Sequence, residues 1–61
     1  MTITAIVDRF DKGNAILLAD ELGLQIDLPA ELVMGVYKKG EVIELTLFKG
    51  ANEMQWKIKG D

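Results

Sequence analysis

The stretch TAIVDRFDKGNAILLAD, residues 4–20, decides the fold, because two apolar runs of strand length flank a polar turn. Glycine and asparagine tolerate positive φ, so residues 11–14, Asp-Lys-Gly-Asn, predict a tight turn between the two runs. The pattern is typical of a β-hairpin. The first run ends with Asp8 and Arg9, and it raises the question whether this pair is a binding site or the polar rim of the hairpin.

Three further turn signals lie at residues 20–23, 38–40 and 49–52. The runs between them are rich in isoleucine, valine, leucine and threonine, and they predict strands from Thr2 to Phe10, Asn14 to Asp20, Leu24 to Leu28, Glu41 to Phe48 and Glu53 to Lys59. Residues 29–34 predict one short helical turn, because proline suits the first helical position. Leu32 and Val33 are expected to close one end of the fold. Residues 1–61 thus predict one all-β domain, a small five-stranded, mostly antiparallel barrel of SH3-like or OB-like topology.

Two of the runs alternate cleanly, with the period of a strand that has one face in the core and one in water. The residues on the predicted inner faces are Leu24, Ile26 and Leu28 in the third run, and Met54, Trp56 and Ile58 in the last. The first run is less regular, because its apolar face changes between Val7 and Phe10. Such a strand predicts a bend or a bulge, as at a barrel corner.

The composition excludes several chemistries. The chain of 61 residues contains no cysteine, histidine or serine, which removes thiolate and imidazole metal ligands and every nucleophilic triad. No glycine-rich phosphate-binding motif occurs. The carboxylates lack the spacing of a calcium loop and are interpreted as a solvated acidic face; they include Asp20, Glu21, Asp27, Glu31, Glu41 and Glu44. We expect no enzymatic activity, no metal and no cofactor.

Charge and hydropathy limit the partners and the location. The formal net charge of −3 argues against a nucleic-acid partner, because phosphate backbones are bound through a basic surface. The first residues lack a basic signal-peptide leader, and the longest apolar run, Ala15 to Ala19, is far shorter than the roughly 20 residues of a membrane helix. We expect a cytoplasmic protein with no membrane contact and no small-molecule substrate.

Three segments in order, AIVDRFDKGNAILLAD, QIDLPAELV and KKGEVIELTL, resemble a small bacterial family catalogued as the domain of unknown function numbered three thousand and six. The resemblance extends from Ala5 to about Leu47. It implies a small β-barrel without an assigned activity, so it carries over no catalytic residue. The tail FKGANEMQWKIKGD departs from the family pattern, in which charged and often helical tails are common, since here it alternates like a strand.

The pair Asp8 and Arg9 has two interpretations. As a site, the two side chains would bind a small polar ligand near the turn. As structure, Asp8 or Asp11 would cap the turn amides around Gly13, and Arg9 would pair with a neighbouring carboxylate. We favour the structural interpretation, because polar residues at hairpin rims usually serve the turn. The recurrence of the pair in the resembled family keeps the first one open.

Trp56, with Lys57 and Lys59 nearby, also has two interpretations. Exposed aromatic residues on small barrels bind peptides or single-stranded nucleic acids, and flanking lysines suit a stacking platform. Trp56 also keeps step with Met54 and Ile58, which favours a place in the core. We favour the core and retain Trp56, Lys57 and Lys59 as candidates for an interaction.

The absence of a catalytic set and the presence of open strand edges favour a non-enzymatic interaction module. Its partner is expected to be another protein or a second copy of the chain as a homodimer. The alternative from a different class is a small β-barrel that binds RNA or DNA, which requires Lys57 and Lys59 to lie beside Lys38 and Lys39. A third possibility is an accessory or inhibitory fragment of an enzyme.

Overall fold

The computed structural model describes residues 1–59; residues 60 and 61, the end of the predicted domain, lie outside the described residues. Five strands form a nearly closed barrel, and 59% of the structure is strand. The strands are β1 (Thr2–Asp11), β2 (Asn14–Ala19), β3 (Leu24–Pro29), β4 (Val42–Lys49) and β5 (Met54–Ile58). All five predicted strands are confirmed with ends within one residue, and a 3₁₀ turn at Ala30–Leu32 lies inside the predicted helical segment.

The strand order distinguishes between the two topologies that the sequence leaves open. The order is β3-β2-β1-β4-β5, and every pair of neighbours is antiparallel. β1 lies between β2 and β4, and the 3₁₀ turn lies in the connection from β3 to β4. This order fits the OB-like alternative, since an SH3-like barrel places such a turn before its last strand. β3 and β5 are therefore the two edges of the sheet.

A bulge interrupts β1 at Asp8. Val7 and Arg9 oppose consecutive residues of β2, so Asp8 has no partner of its own. An extra residue of this kind bends the strand and changes which side chains face inward after it. Val7 before the bulge and Phe10 after it both pack in the core, although an unbroken strand would place them on opposite faces. The predicted bulge is confirmed.

The hairpin of β1 and β2 closes through Lys12 and Gly13, which have φ values of 51° and 82°. Two positive φ values define a type I′ turn, whose twist matches that of the flanking strands. The predicted turn is confirmed, but positive φ falls on Lys12 and Gly13 and not on Asn14. Asn14 is already the first residue of β2 and pairs with Asp11.

A second bulge lies on the other side of β1, where β4 begins. Val7 donates its N–H to the Glu41 carbonyl at 3.0 Å and accepts the Gly40 N–H at 2.7 Å, so two residues oppose one. Gly40 has a φ of 90°, as the first residue of a glycine bulge requires. The Glu41 N–H reaches the Lys38 carbonyl at 3.0 Å, and the Glu41 carboxylate accepts the Lys38 N–H at 2.6 Å. These bonds explain the KKGE turn.

The core is apolar, and within residues 1–59 no polar or charged residue is buried. The largest fully buried side chains are Leu17, Ile43, Leu45, Val7 and Val33. Val33 packs in the core, as predicted, but Leu32 is 54% exposed, so the expectation that both residues close the barrel is wrong for Leu32. Consecutive residues of a 3₁₀ turn project about 120° apart, so the two side chains cannot both face inward.

Candidate interaction groove

A groove opens where the barrel is not closed, between the edge strands β3 and β5. Its volume is about 610 Å³, within the roughly 300–1,000 Å³ of ligand-binding clefts. Across residues 1–59, no backbone hydrogen bond joins the two strands. The lining is mainly apolar and includes Ile26, Leu28, Leu32, Phe48, Trp56 and Ile58; the polar side chains are Asp27, Gln55 and Lys57.

The backbone groups that β3 turns toward the groove belong to residues whose side chains point outward. The Ala30 N–H donates to a carbonyl of the β1–β2 turn at 2.9 Å, and hydrogen-bonded pairs alternate along an antiparallel ladder. Because Ala30 is in a hydrogen-bonded pair, Leu28 and Ile26, which lie two and four residues before it, are also hydrogen-bonded to β2. Asp27 and Gln25 therefore direct their N–H and C=O groups into the groove.

On β5 the groove-facing backbone groups belong to residues whose side chains point inward. The Lys59 N–H donates to the Glu44 carbonyl at 2.9 Å. Hydrogen-bonded pairs alternate along an antiparallel ladder, so every second residue before Lys59 is bonded to β4 as well. Lys57 is then also bonded to β4. Trp56 and Ile58 direct their N–H and C=O groups away from β4 and into the groove.

The two walls of the groove differ in chemistry. On the β5 side, Trp56 is half-buried and packs against the core, so its indole belongs to both the core and the groove. Lys57 Nζ lies 5.3 Å from the centroid of the Phe48 ring, a cation–π distance. On the β3 side, Asp27 Oδ1 accepts a hydrogen bond from Gln25 Nε2 at 3.1 Å. The groove thus has an aromatic wall and an acidic rim.

Asp8 and Arg9 do not line the groove. Arg9 Nη1 donates to Asp8 Oδ2, so the arginine pairs with a neighbouring carboxylate. Among residues 1–59, neither the Asp8 nor the Asp11 carboxylate accepts a hydrogen bond from a turn N–H, so the predicted cap is not formed. The bulge and the ion pair give Asp8 and Arg9 a structural explanation, and ligand binding by the pair stays a prediction.

The lysines are spread over the barrel. Lys59 Nζ lies 3.9 Å from Glu44 Oε2. Lys57 pairs with Thr46 of β4. Thr46 is five residues after Glu41 of the KKGE turn, so about 17 Å of extended strand separates Lys57 from that turn. The strand path therefore separates Lys57 from Lys38 and Lys39, whereas Lys59 lies opposite Glu44, three residues along β4 from Glu41.

A second exposed apolar surface, the outer row, crosses three strands. Ile6 of β1 pairs with Leu18 of β2 on one side and with Val42 of β4 on the other. Ile6 is 42% exposed and Val42 is 60% exposed. The three residues of the row line a depression in the surface, together with the acidic residues Asp20 and Glu21. The outer row is a surface that another chain could cover.

The described part of the chain has neither a cluster of metal-ligating side chains nor a membrane-spanning helix. Between residues 1 and 59, no three histidine, cysteine, aspartate or glutamate side chains are grouped so that they could hold a metal ion. No helix in this part of the chain is long and apolar enough to cross a membrane.

Sequence reasoning found Trp56 and Lys57 but missed the opposite wall, which Asp27, Pro29 and Leu32 form. A usable signal was present at Pro29. Proline has no N–H and is tolerated on the edge of a sheet, so its place at the end of a strand indicates that β3 is an edge.

The strand order and the unpaired edges define a small OB-like β-barrel with an apolar groove between β3 and β5. No family model, no curated protein and no solved structure matches the chain. The resemblance to the bacterial family through VDRF, IDLP and KKGE therefore stays a prediction.

Proposed function

We propose that the chain is a non-enzymatic protein-interaction module whose groove between β3 and β5 receives a segment of a partner protein. The observation that carries the proposal is an apolar groove bordered on both sides by unpaired strand edges. An unpaired edge is a template for another chain, and a core this small gains stability when further apolar surface is buried. The cytoplasmic location expected from the sequence is part of the same proposal.

The charges at the groove favour a protein over RNA or DNA. Among residues 1–59, the charged side chains that line the groove are the Asp27 carboxylate and the Lys57 ammonium group, whose nitrogen lies over the Phe48 ring. A nucleic acid needs several cations along its path to displace its counterions. Trp56 could stack on a base, but its half-buried position leaves part of the indole against the core.

Selection from a library of random peptides displayed on phage, with the full chain immobilised, is expected to yield peptides that bind the groove. Leu32→Glu places a charge on the groove wall at a residue that is already 54% exposed, so the variant should fold and lose at least about tenfold in affinity. Met34→Glu is the matched control, because Met34 is 57% exposed in the same segment and does not line the groove. Titrations can follow Trp56, the single tryptophan.

Equal affinities of the two variants would contradict binding in the groove, and a selection without specific binders would contradict peptide binding. Single-stranded oligonucleotides at low salt provide the opposing test. We expect no complex and an unchanged Trp56 emission. A complex that weakens steeply with salt and quenches Trp56 would instead support the small RNA- or DNA-binding barrel.

A homodimer is the second candidate, and the outer row of Leu18, Ile6 and Val42 is the observation that favours it. Sedimentation velocity at high micromolar concentration is expected to show a species of twice the mass of one chain. Val42→Lys changes a residue that is 60% exposed, so the variant should remain folded and sediment as a monomer. A monomer at every concentration of the unmodified chain would remove this candidate.

A further inference from the structure

We propose that the partner segment binds as a sixth β-strand, antiparallel to β3 and β5 and hydrogen-bonded to both. The inference rests on the proposed function and names its ligand class: an extended peptide that is recognised through its backbone. Strand addition at an open edge is a general mode of peptide recognition. Three features support an inserted strand: the direction of the two edge strands, the positions of their free backbone groups, and the charge beside the groove.

The two edge strands run in the same direction. β3 is antiparallel to β2, and β2 is antiparallel to β1, so β3 runs parallel to β1. By the same steps through β4, β5 also runs parallel to β1. One inserted strand of the opposite direction is therefore antiparallel to both edges and keeps every ladder of the barrel antiparallel.

The phase of the hydrogen bonds matches a single inserted strand. In an antiparallel sheet, inward-pointing residues bond to one neighbouring strand and outward-pointing residues bond to the other. β5 offers the backbone groups of the inward residues Trp56 and Ile58, and β3 offers those of the outward residues Gln25 and Asp27. The inward residues of one inserted strand can pair with β5 while its outward residues pair with β3.

The side chains beside these positions predict the pattern of the peptide. Its inward residues would lie next to Trp56 and Ile58, in the apolar part of the groove, which favours apolar side chains. An outward residue would lie opposite Asp27, whose only side-chain hydrogen bond within residues 1–59 comes from the neutral Gln25 amide. Opposite charges across a ladder stabilise it, so lysine or arginine is expected there.

The end of β3 limits the length of the ladder. Pro29 has no N–H, and the next residue, Ala30, uses its N–H for the β1–β2 turn, so the groove-facing donors identified on this edge are Gln25 and Asp27. The β5 edge is five residues long, about 17 Å. The expected ligand is thus a segment of about five extended residues that alternates between apolar and polar side chains and includes one basic residue.

A backbone N-methyl scan of the tightest synthetic peptide from the phage selection tests the proposal on the full chain. Each N-methyl group removes one donor and leaves the side chains unchanged. A strand bonded on both sides predicts at least a tenfold loss of affinity at every interior position. Losses at alternate positions would show pairing with one edge, and uniform tolerance would show recognition by side chains. Either result overturns the sixth strand and leaves the proposed function standing, whereas failure to select any binder overturns both.

Amide hydrogen exchange, followed by NMR, provides an independent readout on the protein. With saturating peptide, exchange is expected to slow at least tenfold at Gln25, Asp27, Trp56 and Ile58. The Leu28 N–H faces β2 in the free chain and should change much less. Slowing on one strand alone, or on neither, would contradict an inserted strand.

Discussion

Leu17→Ala is expected to lower the free energy of unfolding by about 3 kcal/mol, because truncation of a buried leucine costs about 2–5 kcal/mol. Leu17 is 0% exposed and pairs with both β1 and β3. A single core in a chain of 61 residues rarely supplies more than about 3–5 kcal/mol. The variant should therefore populate the unfolded state substantially at 37 °C.

Leu18→Ala is the matched control, since it is the same substitution one residue later in the same strand. Leu18 is half-buried in the outer row, so its truncation should cost less than about 1 kcal/mol. Urea titrations followed by circular dichroism compare the two midpoints. Equal losses, or a larger loss for Leu18→Ala, would mean that β2 is paired one residue out of register, because such a slip exchanges the two faces of the strand.

The strands could be predicted from the sequence because their signals are local. Turn residues mark the ends, so the observed ends differ from the predicted ones by at most one residue. Alternation correctly placed Ile26, Leu28 and Ile58 in the core. The prediction is wrong for Leu24 and Met54, which are 41% and 55% exposed because they lie at the first positions of β3 and β5, where the core ends. The bulge was also predictable, because the apolar face of β1 changes between Val7 and Phe10 within a single run. A bulge is the simplest device that brings both residues to the core.

The groove could not be predicted, because it depends on which strands are neighbours. Asp27 and Trp56 face the same opening only because β3 and β5 lie at the two ends of the sheet order. That order is set by contacts between residues distant in sequence. The alternation of the last run correctly predicted that Trp56 points inward. It could not predict that part of the indole stays exposed, because that exposure results from the opening between β3 and β5. For the same reason, no local pattern indicated that Leu32 lies on the groove wall.

Two of the motifs on which the family resemblance rests, VDRF and KKGE, each contain a bulge, and the two bulges lie on either side of Val7. VDRF contains the bulge at Asp8, on the side of β1 that pairs with β2, and KKGE contains the bulge at Gly40, on the side that pairs with β4. Val7, 0% exposed, lies next to both. Bulges on both ladders at one level increase the twist and bend of β1, as a strand at a barrel corner requires. Both motifs therefore have a structural explanation that involves no ligand.

Gly40→Val is expected to lower the free energy of unfolding by about 2–3 kcal/mol. Gly40 has a φ of 90°, where a β-branched residue is strained, and backbone strain of this kind costs about 1–3 kcal/mol. No atom lies within 4 Å of a Cβ added at this position, so the cost comes from backbone conformation and not from a clash. Relief of the strain would move the Gly40 N–H away from the Val7 carbonyl and disrupt the start of β4.

Two variants separate this mechanism from a general sensitivity of the turn. Gly40→Asn should cost less than Gly40→Val, because asparagine adopts positive φ more readily. Lys39→Val introduces the same side chain one residue earlier, at a position without positive φ, and should change the stability by less than about 0.5 kcal/mol. Thermal unfolding of the three variants provides the comparison. If Lys39→Val destabilises the chain as much as Gly40→Val does, the positive φ at Gly40 is not what fixes the junction of β1 and β4.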